Sequence, residues 1–181
     1  MREIEVKVKV ENLQELEEKL KSQGCVFADP VSQHDVIYEK VGGPNLYEDA
    51  KEGNIVLRIR RQPNKVEFNL KQQKSGEMDN IEYETKVDDP ESLHQILLLL
   101  GWRPQVEVKK NRKKGKLDEY TICLDQVERL GTFMEIEKLT DDNADPTAVR
   151  EELFTVLESL GLSRANEETK GYDTQIYYLN K

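Results

Sequence analysis

Strict alternation of apolar and polar side chains opens the chain. Between residues 2 and 10, one side consists of Ile4, Val6, Val8 and Val10, and the other of Glu3, Glu5, Lys7 and Lys9. A period of two is typical of a half-buried β-strand. Two acids two residues apart on a strand point the same way at a distance of about 7 Å. Glu3 and Glu5 therefore crowd like charge, which costs free energy unless water, a cation or basic groups neutralise it.

The same alternation continues in five further segments. They are residues 54–61, 66–71, 81–87, 120–125 and 133–138. Short alternating strands separated by turn residues favour an antiparallel sheet that is curved or closed over a parallel one. The sequence therefore predicts a protein of the α+β class that is built around such a sheet.

Three helices are predicted from the residues at their ends. They span residues 12–24, 89–101 and 145–161; each begins with a capping residue (Asn12, Asp89, Asp145) and ends with a glycine (Gly24, Gly101, Gly161). The last two also carry a proline in the first turn. Each of these signals has a physical reason. A capping side chain accepts a hydrogen bond from a free backbone N–H, proline has no N–H to leave unpaired in the first turn, and glycine adopts the left-handed conformation that ends a helix. We expect these helices to cover the outside of the sheet.

An internal repeat connects the strands with the helices. A Glu-x-Glu-x-Lys strand precedes a helix at residues 3–24 and again at 82–101, and a looser copy with Glu-x-Glu occupies residues 135–161. A duplicated strand–helix–strands unit would close into one barrel with its helices outside. Chance resemblance between charged amphipathic segments is the alternative interpretation.

Composition and charge narrow the class of protein. The 181 residues are 35% charged and 36% hydrophobic, with a net charge of −9. An acidic body argues against general binding to nucleic acid or to anionic membranes, because their phosphates are repelled at long range. The longest apolar run, residues 96–100, is too short to span a bilayer. The length favours one domain over residues 1–181, with two small halves packed together as the alternative, and the charge predicts that it binds neither nucleic acid nor membranes.

Cysteine usage and the N-terminus predict the compartment. Cys25 and Cys123 form neither a disulfide framework nor a metal-binding spacing, as in a reduced intracellular protein. The first residues lack the basic and apolar pattern of a signal peptide. We expect a cytoplasmic protein.

A basic run at residues 109–116, KKNRKKGK, has two interpretations. It resembles a nucleic-acid patch. We favour a β-hairpin whose tip lies at residues 113–115, so that Lys110 and Arg112 enter the sheet, with Lys109 and Lys110 competing for the inward register.

Charged residues gather on the polar faces of the strands. The acids are Glu3, Glu5, Glu82, Glu84, Asp125, Glu135 and Glu137, and the bases are Lys7, Arg58, Arg60, Lys71, Lys86, Lys110 and Arg112. A solvated sheet face with cross-strand ion pairs is one explanation. The separation of the two signs of charge favours a ligand-binding site instead, because Arg58 and Arg60 lie on one strand whereas Glu135 and Glu137 lie on a different strand. Arginine and lysine match phosphate oxygens, and carboxylates bind Mg²⁺ or Mn²⁺, so this pattern indicates a site for a polyphosphate with a divalent metal.

These residues resemble those of the CYTH superfamily, the triphosphate tunnel metalloenzymes. The resemblance runs along nearly the whole chain, through EIEVK at 3–7, LRIRR at 57–61, LK at 70–71, KKNR at 109–112, LDQVERLGTFMEIEK at 124–138 and Tyr172. The resemblance implies a closed eight-stranded antiparallel β-barrel, a tunnel, with helices packed outside.

The resemblance also implies a role for each charged residue. It implies Mg²⁺ or Mn²⁺ ligands at Glu3, Glu5, Asp125, Glu135 and Glu137, phosphate-binding bases at Lys7, Arg58, Arg60, Lys71, Lys110 and Arg112, and a catalytic group of Glu3, Glu5, Lys7 and Glu137. Three positions depart from the family pattern. Asn80 stands where arginine is common, Arg129 where glycine is usual, and Gly171 where serine is common. The departures leave the choice of substrate open.

Three functions remain open at this stage. The closest resemblance is to class IV adenylate cyclases, which convert ATP to cyclic AMP and pyrophosphate. The alternative is a triphosphatase acting on inorganic triphosphate, thiamine triphosphate or a nucleoside triphosphate, and a third is a non-catalytic polyphosphate-binding module. Tyr38, Tyr47 and Tyr172 are candidates to contact a base or thiazole ring, although core packing also explains them. A homodimer is possible.

Overall fold

Nine β-strands and four α-helices make up the described part of the chain. The computed structural model describes residues 2–43, 45–48 and 52–181. In chain order the elements are β1 (Arg2–Lys9), α1 (Leu13–Ser22), β2 (Val26–Phe27), β3 (Val31–Lys40), β4 (Ile55–Gln62), β5 (Lys65–Gly76), β6 (Asp79–Lys86), α2 (Pro90–Leu99), β7 (Trp102–Leu117), β8 (Tyr120–Val127), β9 (Gly131–Thr140), α3 (Pro146–Ser159), a 3₁₀ turn (Arg164–Asn166) and α4 (Tyr172–Leu179). The α+β class is confirmed.

Eight of these strands close into an antiparallel barrel. Around the barrel the order is β1, β6, β5, β4, β3, β7, β8 and β9, and β9 pairs again with β1. The short β2 is an extra strand that pairs with β7. Closure removes the exposed sheet edges that an open sheet would present. The predicted closed eight-stranded barrel is confirmed.

The predicted helices form where their end signals place them and cover the outside of the barrel. The capping side chains Asn12, Asp89 and Asp145 accept hydrogen bonds from backbone N–H groups of the first turns, at 3.1, 3.0 and 2.9 Å. The outward face of β1 packs in one apolar cluster with α1 and α3, and α2 packs on the outer faces of β3 and β4 through Leu97. Each fully buried leucine contributes about 1.5–3 kcal/mol. None of the helices among the described residues is long and apolar enough to cross a membrane.

Helix α4 is an element that the sequence pattern did not predict. Its Tyr172 and Ile176 pack against inward-facing side chains of the barrel, among them Ile37, Val108 and Phe133. The helix therefore closes one end of the barrel, whereas the other three helices lie outside. Gly171, at the capping position before the helix, has no side chain to cap it, and the carboxylate of a distant residue, Glu77, accepts the Gly171 N–H at 2.6 Å.

The predicted hairpin tip at residues 113–115 is wrong. Strand β7 continues through Leu117, and the turn to β8 lies at residues 118–119. Gly115, which suggested a turn, is required for a different structural reason. A Cβ at Gly115 would lie 2.7 Å from the Phe27 ring and 2.9 Å from the Cys25 sulfur. Gly115 therefore permits the close approach of β2 to β7 inside a regular strand.

The three Glu-x-Glu segments of the repeat lie on neighbouring strands. They belong to β1, β6 and β9, β1 pairs with both of the others, and each is followed by a helix. Duplication as the origin of this arrangement stays a prediction.

Candidate active site inside the barrel

A charged cavity of about 180 Å³ occupies the barrel interior. Inward side chains of β1, β3–β7 and β9 line it. A single water needs about 10–15 Å³ of such volume, so the cavity has room for a ligand. The alternation of the strands places every second residue inside. It therefore gathers most of the charged residues predicted for the site, while Lys86 lies exposed outside the lining.

Three carboxylates meet on one wall of the cavity. Ligand oxygens of Glu3, Glu5 and Glu137 lie within 4.8 Å of one another, because the antiparallel register of β1 and β9 pairs Glu5 with Glu137. Burial, followed by repulsion from Glu137, raises the pKa of Glu3 to about 9. Burial and the neighbouring Glu135 raise the pKa of Glu5 to about 7. Crowded, buried oxygen ligands of this kind fit a hard divalent cation such as Mg²⁺ or Mn²⁺, which would relieve the repulsion.

Glu135 lies beside this cluster in a mixed environment. Ligand atoms of Cys123, Glu135 and Glu137 also lie within 4.8 Å of one another, and the Cys123 thiol donates to Glu137 at 3.3 Å. Arg112 also donates to Glu135, and its charge outweighs burial and lowers the pKa of Glu135. Burial raises the pKa of Cys123 well above its usual value, so this residue remains a thiol rather than a nucleophile.

Asp125 stands apart from the three-carboxylate cluster. It is fully buried, accepts a hydrogen bond from Arg112 at 2.7 Å and forms an ion pair with Lys110 at 3.3 Å. Burial would raise its pKa, but these two cations hold the pKa of Asp125 well below its usual range. Three of the five predicted metal ligands, Glu3, Glu5 and Glu137, therefore lie together, and Glu135 lies next to them. Asp125 is instead paired with Arg112 and Lys110.

Basic side chains also line the cavity, and several of them lie next to its carboxylates. They are Lys7, Arg58, Arg60, Lys71, Lys110 and Arg112, the phosphate-binding set of the sequence prediction. Lys110 takes the inward register, and Lys109 is exposed on the outer face. Lys71 forms an ion pair with Glu82 across the β5–β6 ladder. The cavity thus brings acidic and basic side chains together, and Arg112 lies 3.7 Å from Glu137 of the carboxylate cluster.

Asp35 is a site residue that sequence reasoning missed. It is 3% exposed and accepts two hydrogen bonds from Arg60, both at 2.7 Å, while Arg58 lies 3.5 Å from it. Burial alone would raise its pKa, but the two guanidinium groups hold the pKa of Asp35 well below its usual range. The alternation of Gln33, Asp35 and Ile37 in residues 31–40 was the available signal. Lys114, at 59% side-chain exposure, is a second missed residue of the lining.

Lys7 links the cavity to the C-terminal strap, the segment 167–171. Its ammonium group donates to the carbonyl oxygen of Lys170 and lies 4.3 Å from the centre of the Tyr172 ring. The strap also bonds to the backbone of β1, since the Glu168 N–H donates to the Lys7 carbonyl at 2.8 Å. Lys7 is 1% exposed, so the strap covers the lysine of the Glu-x-Glu-x-Lys signature.

The three tyrosine candidates and the two histidines of the chain lie in the packed core, on the outer surface or in the cavity lining. Tyr38 packs under α2 and its hydroxyl bonds to His94 at 2.8 Å, so both are structural. His34 pairs with Glu107 at 2.9 Å on the outer surface. Tyr47 and Tyr172 are buried and line the cavity.

Comparison with known proteins agrees with this architecture. The family model described as the CYTH domain matches residues 1–172. A Methanocaldococcus jannaschii protein named "Putative adenylate cyclase" is 30% identical over 174 residues, which cover 95% of this chain and 97% of that protein.

Solved structures share the fold. A Pyrococcus horikoshii protein is 29% identical, with a TM-score of 0.78 over 94% of this chain and 96% of that one. A Hippeastrum protein described as a "Putative adenylyl cyclase" with a dominant triphosphatase activity is 18% identical. Its TM-score is 0.64 over 99% of this chain and 96% of that one. At that identity the likeness concerns the fold alone.

Proposed function

The chain belongs to the CYTH domain family, and on that basis we propose that it is a divalent-metal-dependent adenylate cyclase of the class IV type. It would convert ATP to cyclic AMP and pyrophosphate. The observation that carries the proposal is that one buried cavity combines a cluster of three carboxylates with a set of arginines and lysines. A triphosphate bound with a divalent metal presents charges complementary to both sets of side chains.

The carboxylates would hold Mg²⁺ or Mn²⁺. Glu3, Glu5 and Glu137 are the nearest ligand set, with Glu135 and Asp125 as the further predicted ligands. When bound, the cation neutralises triphosphate oxygens and lowers the pKa of a coordinated hydroxyl group. Because Glu3, Glu5, Glu135 and Glu137 lie on the paired strands β1 and β9, the sheet would fix their positions before any ligand binds.

The basic residues would bind and orient the phosphates. Asp35 holds the Arg60 fork, and Asp125 holds Arg112, so both guanidinium groups are fixed in position before the substrate binds. Preorganised donors stabilise developing charge without reorganisation at the moment of reaction. In the cyclase reaction the ribose 3′-hydroxyl group would lose its proton to solvent, its oxygen would attack the α-phosphorus, and the bond from that phosphorus to the bridging oxygen of the β-phosphate would break. The basic side chains would receive the charge of the departing pyrophosphate.

Hydrolysis of a triphosphate is the alternative function. Water would replace the ribose hydroxyl and attack a terminal phosphorus of inorganic triphosphate, thiamine triphosphate or a nucleoside triphosphate. What supports this alternative is that the same charged residues serve both reactions. The two reactions differ in which phosphorus meets the nucleophile. A non-catalytic polyphosphate-binding module would need none of the five carboxylates, so their joint presence argues against it.

A product analysis tests the proposal. The protein is incubated with ATP and Mn²⁺ or Mg²⁺, and the products are separated by chromatography; cyclic AMP with an equal amount of pyrophosphate is the expected result. ADP with orthophosphate would refute cyclisation and support hydrolysis, and parallel incubations with inorganic triphosphate and thiamine triphosphate would then define the substrate. Chelation with EDTA should abolish either activity. The Glu137→Gln variant should lose the activity, and Glu107→Gln, which alters an exposed glutamate on the outer face of β7, is its matched control.

A further inference from the structure

An uncharged region adjoins the charged cavity near helix α4. We call it the neutral pouch, and its residues are Leu46, Tyr47, Val56, Gln73, Met78 and Asn80. Two carboxylates border it. The first is Glu77, which accepts hydrogen bonds from the Gly171 N–H at 2.6 Å and the Thr174 hydroxyl at 2.8 Å. The second is Asp173, in the first turn of α4, where negative charge is favoured. The pouch itself offers only apolar, hydroxyl and amide groups.

Two buried polar groups of the pouch lack hydrogen-bond partners. The Gln73 side chain is 5% exposed and its Oε1 has no donor within residues 2–43, 45–48 and 52–181. The Tyr47 hydroxyl belongs to a residue that is also 5% exposed, and it likewise has no partner in the described part of the chain. Buried polar groups are rarely left unpaired in native proteins, because desolvation without a hydrogen bond costs free energy. Gln73 and Tyr47 therefore leave an acceptor and a hydroxyl group that are free to bind a ligand in this region.

The pouch lies next to the basic side chains of the cavity. Gln73 follows Lys71 by two residues on the same face of β5, which places their Cα atoms about 7 Å apart. Val56 is the cross-strand partner of Lys71 on β4. A molecule whose phosphates contact Lys71 thus places its next chemical group at the entrance of the pouch.

Asn80 keeps this region neutral. It is the cross-strand partner of Gln73, and its amide donates to the Glu77 carbonyl oxygen at 2.8 Å. The family resemblance leads one to expect arginine at this position. An arginine would bring a positive charge and a long side chain into the space between Gln73 and the first turn of α4. Asparagine instead leaves an uncharged space, which a purely anionic ligand would not use.

We propose that the neutral pouch binds the base of a nucleoside triphosphate, and that Gln73 and Tyr47 are the residues that select it. The proposal rests on the proposed function and specifies its substrate. Gln73 Oε1 would accept a hydrogen bond from an exocyclic amino group, and the Tyr47 hydroxyl would donate to a ring nitrogen. An aminopurine such as adenine carries both groups. The apolar side chains of Leu46, Val56 and Met78 provide contacts for the faces of the ring.

The test uses two ligands that differ only in the nucleoside. They are bis(methylene)-ATP, in which both bridging oxygens of the triphosphate are replaced, and bis(methylene)triphosphate; neither is hydrolysed. Calorimetry with Mn²⁺ compares the wild type with Gln73→Leu and Tyr47→Phe. The matched controls are Gln72→Leu and Tyr83→Phe, which alter outward-facing neighbours on β5 and β6.

The proposal predicts a loss confined to the nucleotide. Gln73→Leu and Tyr47→Phe should each weaken binding of the ATP analogue about five- to tenfold, the value of one hydrogen bond, and leave the triphosphate analogue within twofold. Asn80→Arg should reverse the preference, with the nucleotide weakened and the inorganic triphosphate bound more tightly. An equal change for both ligands, or no change for either, would overturn the assignment of the pouch.

The wild type separates this inference from the proposed function. If the wild type binds the triphosphate analogue but not the ATP analogue, the pouch proposal fails while a triphosphate site stands. If the wild type binds neither ligand, the proposed function fails, and the pouch proposal fails with it.

Discussion

Arg60 and Asp35 form a two-point ion pair inside the barrel, with both nitrogen–oxygen distances at 2.7 Å. The register of β3 and β4 places the two residues directly opposite each other. A planar guanidinium group held by a carboxylate in this way loses its rotational freedom before a phosphate binds. The pair therefore contributes both to the stability of the barrel and to the geometry of the basic side chains that line the cavity.

Replacing Asp35 by asparagine should change the acid sensitivity of the protein. The pKa of Asp35 is lowered in the folded state, so its contribution to stability is present above the ordinary aspartate value of about 4 and is lost as the pH falls below it. Asp35→Asn should therefore lower the free energy of unfolding at pH 7 by about 3 kcal/mol, and the difference from the wild type should shrink towards pH 2. Urea denaturation between pH 2 and 7 measures both. The exposed Asp88→Asn serves as control, and a constant difference across this range would contradict the prediction.

The Glu137→Gln variant tests the carboxylate cluster. The substitution keeps the shape of the side chain but removes a charge from the cluster with Glu3 and Glu5. We expect the affinity for Mn²⁺ to fall and turnover to drop by orders of magnitude. Thermal stability in EDTA should hold or rise slightly, because repulsion is relieved. Calorimetric titration and thermal unfolding provide the measurements. A metal-dependent rate equal to that of the wild type would remove Glu137 from the site.

The Arg58→Ala variant tests the basic side chains of the cavity independently of the metal. Arg58 lines the cavity, and its removal still leaves Asp35 paired with Arg60. The dissociation constant of a non-hydrolysable triphosphate should rise about 10- to 100-fold, as expected for lost charge-assisted hydrogen bonds, while Mn²⁺ affinity stays nearly unchanged. Arg61→Ala is the matched control, since Arg61 pairs with exposed Glu91. Equal effects of the two substitutions would place Arg58 outside the binding site.

Metal affinity should rise with pH. The pKa of Glu5 is raised to about 7 and that of Glu3 to about 9, so a cation must displace protons from both below these values. Apparent Mn²⁺ affinity should increase between pH 6 and about 9, with protons released on binding. Calorimetry in buffers of different ionisation enthalpy counts those protons. In metal-free protein the stabilisation from protonated Glu3 and Glu5 is present below about pH 4.5 and is lost as the pH rises through 7 and 9. An affinity independent of pH would show that neither group binds the metal.

Substitutions of Arg129 should change the stability of the protein through the backbone conformation at this position. Its φ of 71° lies in the left-handed region, where a residue with a Cβ is strained and glycine is not. Arg129 also donates to the Asn180 side chain at 2.8 Å. Both Arg129→Gly and Arg129→Ala lose this bond, but only glycine relieves the strain. Arg129→Gly should therefore unfold at a higher urea concentration than Arg129→Ala, by about 1 kcal/mol in free energy. Equal stability of the two variants would contradict the account.

Local signals allowed the sequence to predict most of the secondary structure. The caps and terminal glycines of α1, α2 and α3 are formed by residues within a few positions of each helix end, so the prediction needed no knowledge of the fold. Helix α4 was not predicted because no capping side chain marks its start. The Gly171 N–H before the helix donates instead to the carboxylate of Glu77, which is far away in the chain. The hairpin tip was predicted at the wrong place because Gly115 makes room for the ring of Phe27 and does not form a turn.

The sequence by itself determined which side chains share a face of each strand. Alternation is a property of extended backbone, so Glu3 and Glu5 share one face of β1, and Glu135 and Glu137 share one face of β9, whatever the partner strands are. Only the tertiary structure decided which inward charges meet, because strand register and barrel closure depend on packing between segments far apart in the chain. The register of β1 and β9 places Glu5 opposite Glu137, whereas the register of β7 and β8 places Asp125 opposite Arg112.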